Sequence, residues 1–121
     1  MLSLGSSHRY FLYGEPTDMR KSFDGLSGLV RNELGQDPLS GDVFVFVNRR
    51  GDRMKLLLWE ESGYVIWYKR LEAGTFELGR GGAQSRVIGW HQLVMLLEGI
   101  ELSSVRKRKR FSRKKRDEIG P

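Results

Sequence analysis

Clustered arginines and lysines are the most distinctive functional groups of this chain. One group is the run Arg106-Lys107-Arg108-Lys109-Arg110-Phe-Ser-Arg113-Lys114-Lys115-Arg116. A second group, Arg49, Arg50 and Arg53, flanks Gly51 and Asp52. Cations at this density attract polyanions, because each phosphate they neutralise releases condensed counterions into bulk solution. Each such contact should steepen the log–log salt dependence of binding by roughly 0.9. Neither group specifies a base sequence, since phosphate contacts position a protein and base-edge contacts specify. An amphipathic membrane helix is disfavoured, because Val105 and Phe111 are the only large apolar residues in or beside the run.

Other chemistries find little footing. The chain has no cysteine and two histidines, His8 and His91. Disulfides, thiol catalysis and cysteine or multi-histidine metal sites are therefore excluded. The carboxylates Asp18, Asp24, Asp42, Asp52, Glu60 and Glu61 fall at expected caps and turns. A metal-dependent nuclease needs carboxylates converging from rigid elements to hold its ions, and Asp18 and Asp24 stand six residues apart rather than one helical turn. The histidines have no nucleophile or base beside them in sequence, and Ser27, Ser40 and Ser62 lack a nucleophile-elbow context. Gly79-Arg-Gly-Gly82 lacks the Gly-Lys-Ser/Thr ending of a phosphate-cradling loop. No catalytic residue, metal site or cofactor is expected.

The pattern of apolar residues and turn formers predicts the secondary structure that carries these arginines. Residues 9–13 form a short aromatic strand closed by Gly14-Glu15-Pro16. From Asp18 to Leu34, Met19, Phe23, Leu26, Val30 and Leu34 recur at helical spacing, with Thr17 or Asp18 as N-cap and Gly35 as the stop. Gly25 and Gly28 inside this helix imply close packing or local irregularity. Residues 42–47 read as a strongly β-forming strand. The turn 48–52 follows, with Gly51 able to take positive φ, and puts Arg49, Arg50 and Arg53 at a hairpin tip. Strands follow over 53–59 and 64–71, then short strands over 75–78 and 86–88. A second helix begins at Trp90 and stops at Gly99. Alternation puts Tyr64 and Tyr68 on one face of their strand and Trp67 on the other. These aromatics and Trp59 serve either core packing or an exposed stacking face.

Charge is segregated along the chain. The net charge is +6. Residues 106–121 hold nine bases and two acids, whereas residues 1–105 hold twelve bases and thirteen acids. This asymmetry predicts one folded domain over residues 1–104 and a basic, disordered arm over 105–121. The expected fold is α+β: an antiparallel β-meander sheet with two helices packed on one face. Without a membrane-length apolar run or a secretory signal, a cytoplasmic protein is expected, free or associated with the nucleoid.

Several ordered motifs carry a family resemblance. They are Thr17-Asp-Met-Arg-Lys-Ser-Phe-Asp-Gly-Leu26, Leu34-Gly-Gln-Asp-Pro-Leu-Ser-Gly41, Val43-Phe-Val-Phe46 and Asn48-Arg-Arg-Gly-Asp-Arg-Met-Lys-Leu56. Leu58-Trp-Glu60, Lys69-Arg-Leu-Glu72 and Leu96-Leu-Glu-Gly-Ile100 follow. In this order and spacing they resemble the TnpB-type accessory protein, the second open reading frame of the bacterial insertion-sequence sixty-six transposon family. The resemblance covers about residues 8–102. Where the family commonly opens its second helix with Thr-Pro, this chain has Gly89-Trp90.

The resemblance implies a non-enzymatic protein encoded beside a separate transposase, which would carry the acidic metal-binding site. It points to the motif polar residues Asp18, Arg20, Lys21, Asp24, Asp52 and Lys55, together with Arg50, Gly51 and Arg53, as candidates for contact with DNA or transposase. The reading is therefore an accessory protein of DNA transposition that binds DNA without sequence preference through its arm, the transposase, or both. The alternatives are a protein–protein adaptor without direct DNA contact and an RNA-binding regulator of the element.

Overall fold

The computed structural model describes residues 4–78 and 84–99. Among these residues the elements run β1 (Tyr10–Leu12), α1 (Phe23–Asn32), β2 (Val43–Val47), β3 (Arg53–Glu60), β4 (Gly63–Arg70), β5 (Arg86–Ile88) and α2 (Trp90–Glu98). The five strands form one sheet in the order β4-β3-β2-β1-β5. The α+β class is as expected. The two strand segments 53–60 and 63–70 join through a two-residue turn, since Glu60 pairs with Gly63. Glu61 takes a φ of 57° there, as the primed hairpin turns require.

Two features of the expected architecture are corrected. The first is the simple meander. β1 pairs parallel with β2, with Tyr10 opposite Val43 and Leu12 opposite Val45, so the sheet is mixed. A parallel pair needs a crossover connection, and α1 supplies it. The second is helix placement. All five residues of β2 are buried, because the sheet is covered on both sides. Val43, Val45 and Val47 join Met54, Leu56, Leu58, Leu93 and Leu96 in one cluster under α2. Phe44 and Phe46 join Leu57, Leu26 and Val30 in another under α1. Alternating side chains point to opposite faces of a strand, so the helices sit on opposite faces of the sheet.

Two local corrections follow from competing hydrogen bonds. The helix expected from Asp18 begins only at Phe23, with Ser22 as its N-cap residue. Residues 18–21 instead form a separate turn: Lys21 N–H donates to Asp18 O at 3.0 Å, and Arg20 N–H donates to Asp18 Oδ1 at 2.9 Å. Residues 75–78 are not a strand. Phe76 is buried, but its N–H donates to Gly51 O at 2.7 Å, which braces the β2–β3 turn rather than extending the sheet.

The glycine stops behave as expected, with Gly35 at φ +63° and Gly99 at φ +85°. Gly25 lies against Lys21, whose Cβ is 3.0 Å from where a glycine Cβ would stand; nothing in the structure explains Gly28. The expected basic arm, with its domain boundary, lies outside the described residues, as do residues 79–83 of the glycine loop.

Leu57 of β3 is fully buried in the cluster under α1. Leu57→Ala should therefore lower the unfolding free energy by about 2–5 kcal/mol, through lost transfer energy and a residual cavity. Urea titration of the two proteins, followed by circular dichroism, measures the difference.

Candidate functional site

The chain from β1 onward continues beside β2 in an extended path. Tyr13 N–H donates to Val45 O and Thr17 N–H to Val47 O, each at 2.9 Å. Because the pairing is parallel, the exit of β1 and the exit of β2 lie at the same end of the sheet. Asp18 and Arg20 thus arrive beside the turn that leaves β2. The result is a cleft of about 420 Å³ lined by Thr17, Asp18, Met19, Arg20, Asn48, Arg49, Arg50, Asp52 and Arg53. Two motifs about thirty residues apart in sequence form its two walls.

The turn wall is tightly tied. Asn48 Nδ2 donates to Asp52 Oδ1 at 2.8 Å, and Arg53 N–H donates to Asn48 Oδ1 at 3.0 Å. Gly51 has φ +78°, and a Cβ there would stand 3.3 Å from Thr75 Cβ. Glycine thus serves both the left-handed conformation and the close approach of the bracing segment. Leu71 N–H donates to Asp52 O at 2.7 Å, so the chain after β4 also holds this turn.

The opposite wall is held from below by a buried lysine. Lys55 is only 7% exposed. Its Nζ donates to Met19 O and Lys21 O, each at 2.8 Å. It also lies 4.8 Å from the Tyr68 ring centroid. A buried ammonium must be paired or hydrogen-bonded, and here carbonyls and a ring face replace a carboxylate. These bonds also explain the late start of α1, since they divert two carbonyls from any helix beginning at Asp18.

The charges do not cancel. Arg20 forks onto Asp18, with Nε at 3.0 Å and Nη2 at 2.7 Å from Oδ2. The Arg20 hydrogen bonds hold the Asp18 carboxyl down at about 2, below its ordinary 3.8. Asp52 is also lowered, chiefly by the Asn48 hydrogen bond and then by the nearby Arg50 and Arg53 charges. Both carboxylates thus shape the loops that carry them. Arg49 and Arg50 are exposed and make no ion pair among the described residues. Arg53 donates from Nη1 to the Tyr68 hydroxyl at 3.0 Å. The cleft therefore presents four guanidiniums against two carboxylates, an arrangement suited to anions.

The structure brings Asp18, Arg20, Arg49, Arg50, Asp52 and Arg53 together, with Lys55 beneath them. Lys21 contributes its carbonyl to Lys55. Asp24 lies apart in the first turn of α1. Candidates Arg106, Lys107, Arg108, Lys109, Arg110, Arg113, Lys114, Lys115 and Arg116 lie outside the described residues. Sequence reasoning passed over Asn48 as an ordinary turn residue and did not pair Tyr68 with Arg53. The register Lys55↔Tyr68 and Arg53↔Arg70 was the missing signal. No group of three or more His, Cys, Asp or Glu side chains among the described residues could hold a metal ion. No helix among them is long and apolar enough to cross a membrane.

The family model described as IS66 Orf2 like protein matches residues 8–107. The uncharacterized protein y4jC of Sinorhizobium fredii is 40% identical over 68 residues, covering 56% of this chain and 58% of that protein. The uncharacterized protein y4hO of the same organism is 34% identical over 101 residues, covering 84% of this chain and 88% of that protein. The chain thus spans little more than half of the first relative and most of the second. No solved structure matches.

Two outcomes test this geometry. The folded-state value of Asp18 lies below its unfolded value, so its ionised form stabilises the fold above about 3.8, and this is lost as pH falls towards about 2. NMR titration of the Asp18 carboxyl should give a midpoint near 2, and Arg20→Gln should return it towards 3.8. Lys55→Met should cost about 1–3 kcal/mol in urea unfolding, because the Met19 and Lys21 carbonyls lose their shared donor.

Proposed function

Because this chain belongs to the IS66 Orf2-like family, we propose that it is a non-enzymatic accessory protein of DNA transposition that holds DNA through backbone phosphates. The observation that carries this reading is the convergence of residues 17–20 and 48–53 on one cleft lined by four arginines. Arg49 and Arg50 are exposed at its rim and form no ion pair among the described residues, so they reach a phosphate with little desolvation. Guanidiniums match phosphate geometry with paired donors, so arginine suits this role better than lysine. The run Arg106–Arg110 and Arg113–Arg116 adds a second, sequence-indifferent grip. Catalysis belongs to a separately encoded transposase, beside which this protein works.

Direct readout needs side chains delivered to base edges in a groove. The cleft instead offers fork-shaped donors suited to phosphates. Affinity without sequence preference follows, and recognition of the element ends falls to the transposase. The grip must also weaken with salt, which separates it from an apolar adaptor surface.

Fluorescence anisotropy tests the reading. Labelled duplexes would carry either the element's terminal repeat or a scrambled sequence, titrated at several salt concentrations. The full chain should bind both alike with a steep salt slope. A chain ending at Ser104 should bind more weakly with a flatter slope. Arg49→Ala combined with Arg50→Ala should reduce the slope by up to about 1.8, at roughly 0.9 per lost phosphate contact. Failure of every form to bind either duplex, or a single strand of the same sequence, would remove the DNA reading and favour an adaptor that docks on the transposase.

A further inference from the structure

Four aromatics lie on the adjacent strands β3 and β4, and three of them are occupied. Trp59 and Tyr64 pack edge to face with ring centroids 5.1 Å apart. Trp67 packs against the cluster under α2. Tyr68 remains 47% exposed. It is also the one held in place by polar contacts: its hydroxyl accepts from Arg53 Nη1 at 3.0 Å, and the Lys55 ammonium lies 4.8 Å from its ring centroid.

Those two contacts tie the ring to the cleft. Arg53 lines the cleft and touches Tyr68, so one guanidinium belongs to both features. Lys55 is itself fixed by the Met19 and Lys21 carbonyls, so the ring sits on a rigid base. An exposed ring already oriented loses little further freedom when a planar group settles on it. A cation on one side of a ring also draws π density towards itself, which favours an electron-rich base on the open side. A base inside a duplex has both faces covered by its neighbours, whereas an unpaired strand offers them.

We propose that Tyr68 is a base-stacking platform beside the arginine cleft, and that the site takes single-stranded nucleic acid. The phosphates would lie on Arg49, Arg50 and Arg53, and one base on the open side of the Tyr68 ring. The inference rests on the phosphate-binding reading of the cleft and adds the strandedness of its ligand. Stacking is tolerant of sequence, because every base has a π face. The platform therefore distinguishes paired from unpaired strands without reading sequence.

The test uses the full chain with labelled oligonucleotides of one sequence as single-stranded DNA, single-stranded RNA and duplex DNA. Relative to Tyr68→Phe, which also lacks the hydroxyl that holds Arg53, Tyr68→Ala should weaken single-strand binding about tenfold, within the range measured for losing one stacked base, and duplex binding by no more than about twofold. Tyr68→Phe keeps the ring and should retain single-strand binding. In the unsubstituted protein, 2-aminopurine placed along the single strand should change in fluorescence at one or two positions on binding, a readout that survives even if Tyr68→Ala fails to fold. Equal binding of RNA and DNA single strands would identify the shared base and phosphate chemistry as the ligand; a large preference for one would assign the source. If Tyr68→Ala leaves single-strand binding unchanged, or lowers duplex and single-strand binding alike, the platform is refuted while phosphate binding stands. If neither single strand nor duplex binds, the phosphate reading fails and this inference fails with it.

Discussion

The parallel pairing of β1 with β2 governs both the layering of the fold and the existence of the cleft. β2 is the central strand of five, and all of its residues are buried. A strand buried on both faces reads as a continuous apolar run, and Val-Phe-Val-Phe-Val is one. Its valines and phenylalanines feed separate cores, so each helix needs its own face of the sheet. The parallel partner also requires a crossover, which α1 provides on the phenylalanine side. Parallel strands end at the same edge of a sheet, and this is why residues 17–20 meet residues 48–53. An antiparallel β1 would have delivered Asp18 and Arg20 to the opposite end, and the cleft would not exist.

The cleft is coupled to the core through Lys55. A lysine almost never sits this deep without a carboxylate partner. Here the Met19 and Lys21 carbonyls and the Tyr68 ring hold it instead. Its charge therefore remains uncancelled beneath a surface already rich in guanidiniums. The two nearby acids do little to offset this. Asp18 is engaged by Arg20, and Asp52 by Asn48. Both shape loops, and the positive excess of the site is the consequence. Field strength at a cleft wall of this kind attracts anions ahead of contact and accelerates their capture.

Under the proposed reading, the protein supplies grip rather than chemistry. Phosphate contacts give affinity that is indifferent to sequence, so discrimination among sites falls to the transposase. A stacking platform next to the cleft would add a preference for unpaired strands. That preference suits an accessory that works where strands have been separated. The match to the IS66 Orf2 like family over residues 8–107 provides the context for this division of labour.

Much of the local structure was legible in the residues. Alternation and β-branched runs located β2, β3, β4 and β5, and the periodic leucines with Gly99 located α2, each within about a residue of the observed bounds. Gly51 was marked as a positive-φ turn residue by its place between two strands. Tyr64 and Tyr68 were assigned to one face and Trp67 to the other by the two-residue period alone. The basic character of the hairpin tip was equally plain, because Arg49, Arg50 and Arg53 sit together in sequence. Local patterns determine these things because they depend only on a residue and its near neighbours. Three decisions needed the tertiary structure. Periodicity says which residues share a face but not which helix covers it: the unbroken apolar run of β2 marks a strand covered on both sides, while the assignment of α1 to the phenylalanine face and α2 to the valine face came from packing alone. The stripe beginning at Met19 matched a helix, yet Asp18 and the distant Lys55 claimed the backbone groups that a helix would have used. The direction of β1 relative to β2 leaves no mark in either strand. It is set by how the two cores close around β2, and that packing alone brings the halves of the cleft together.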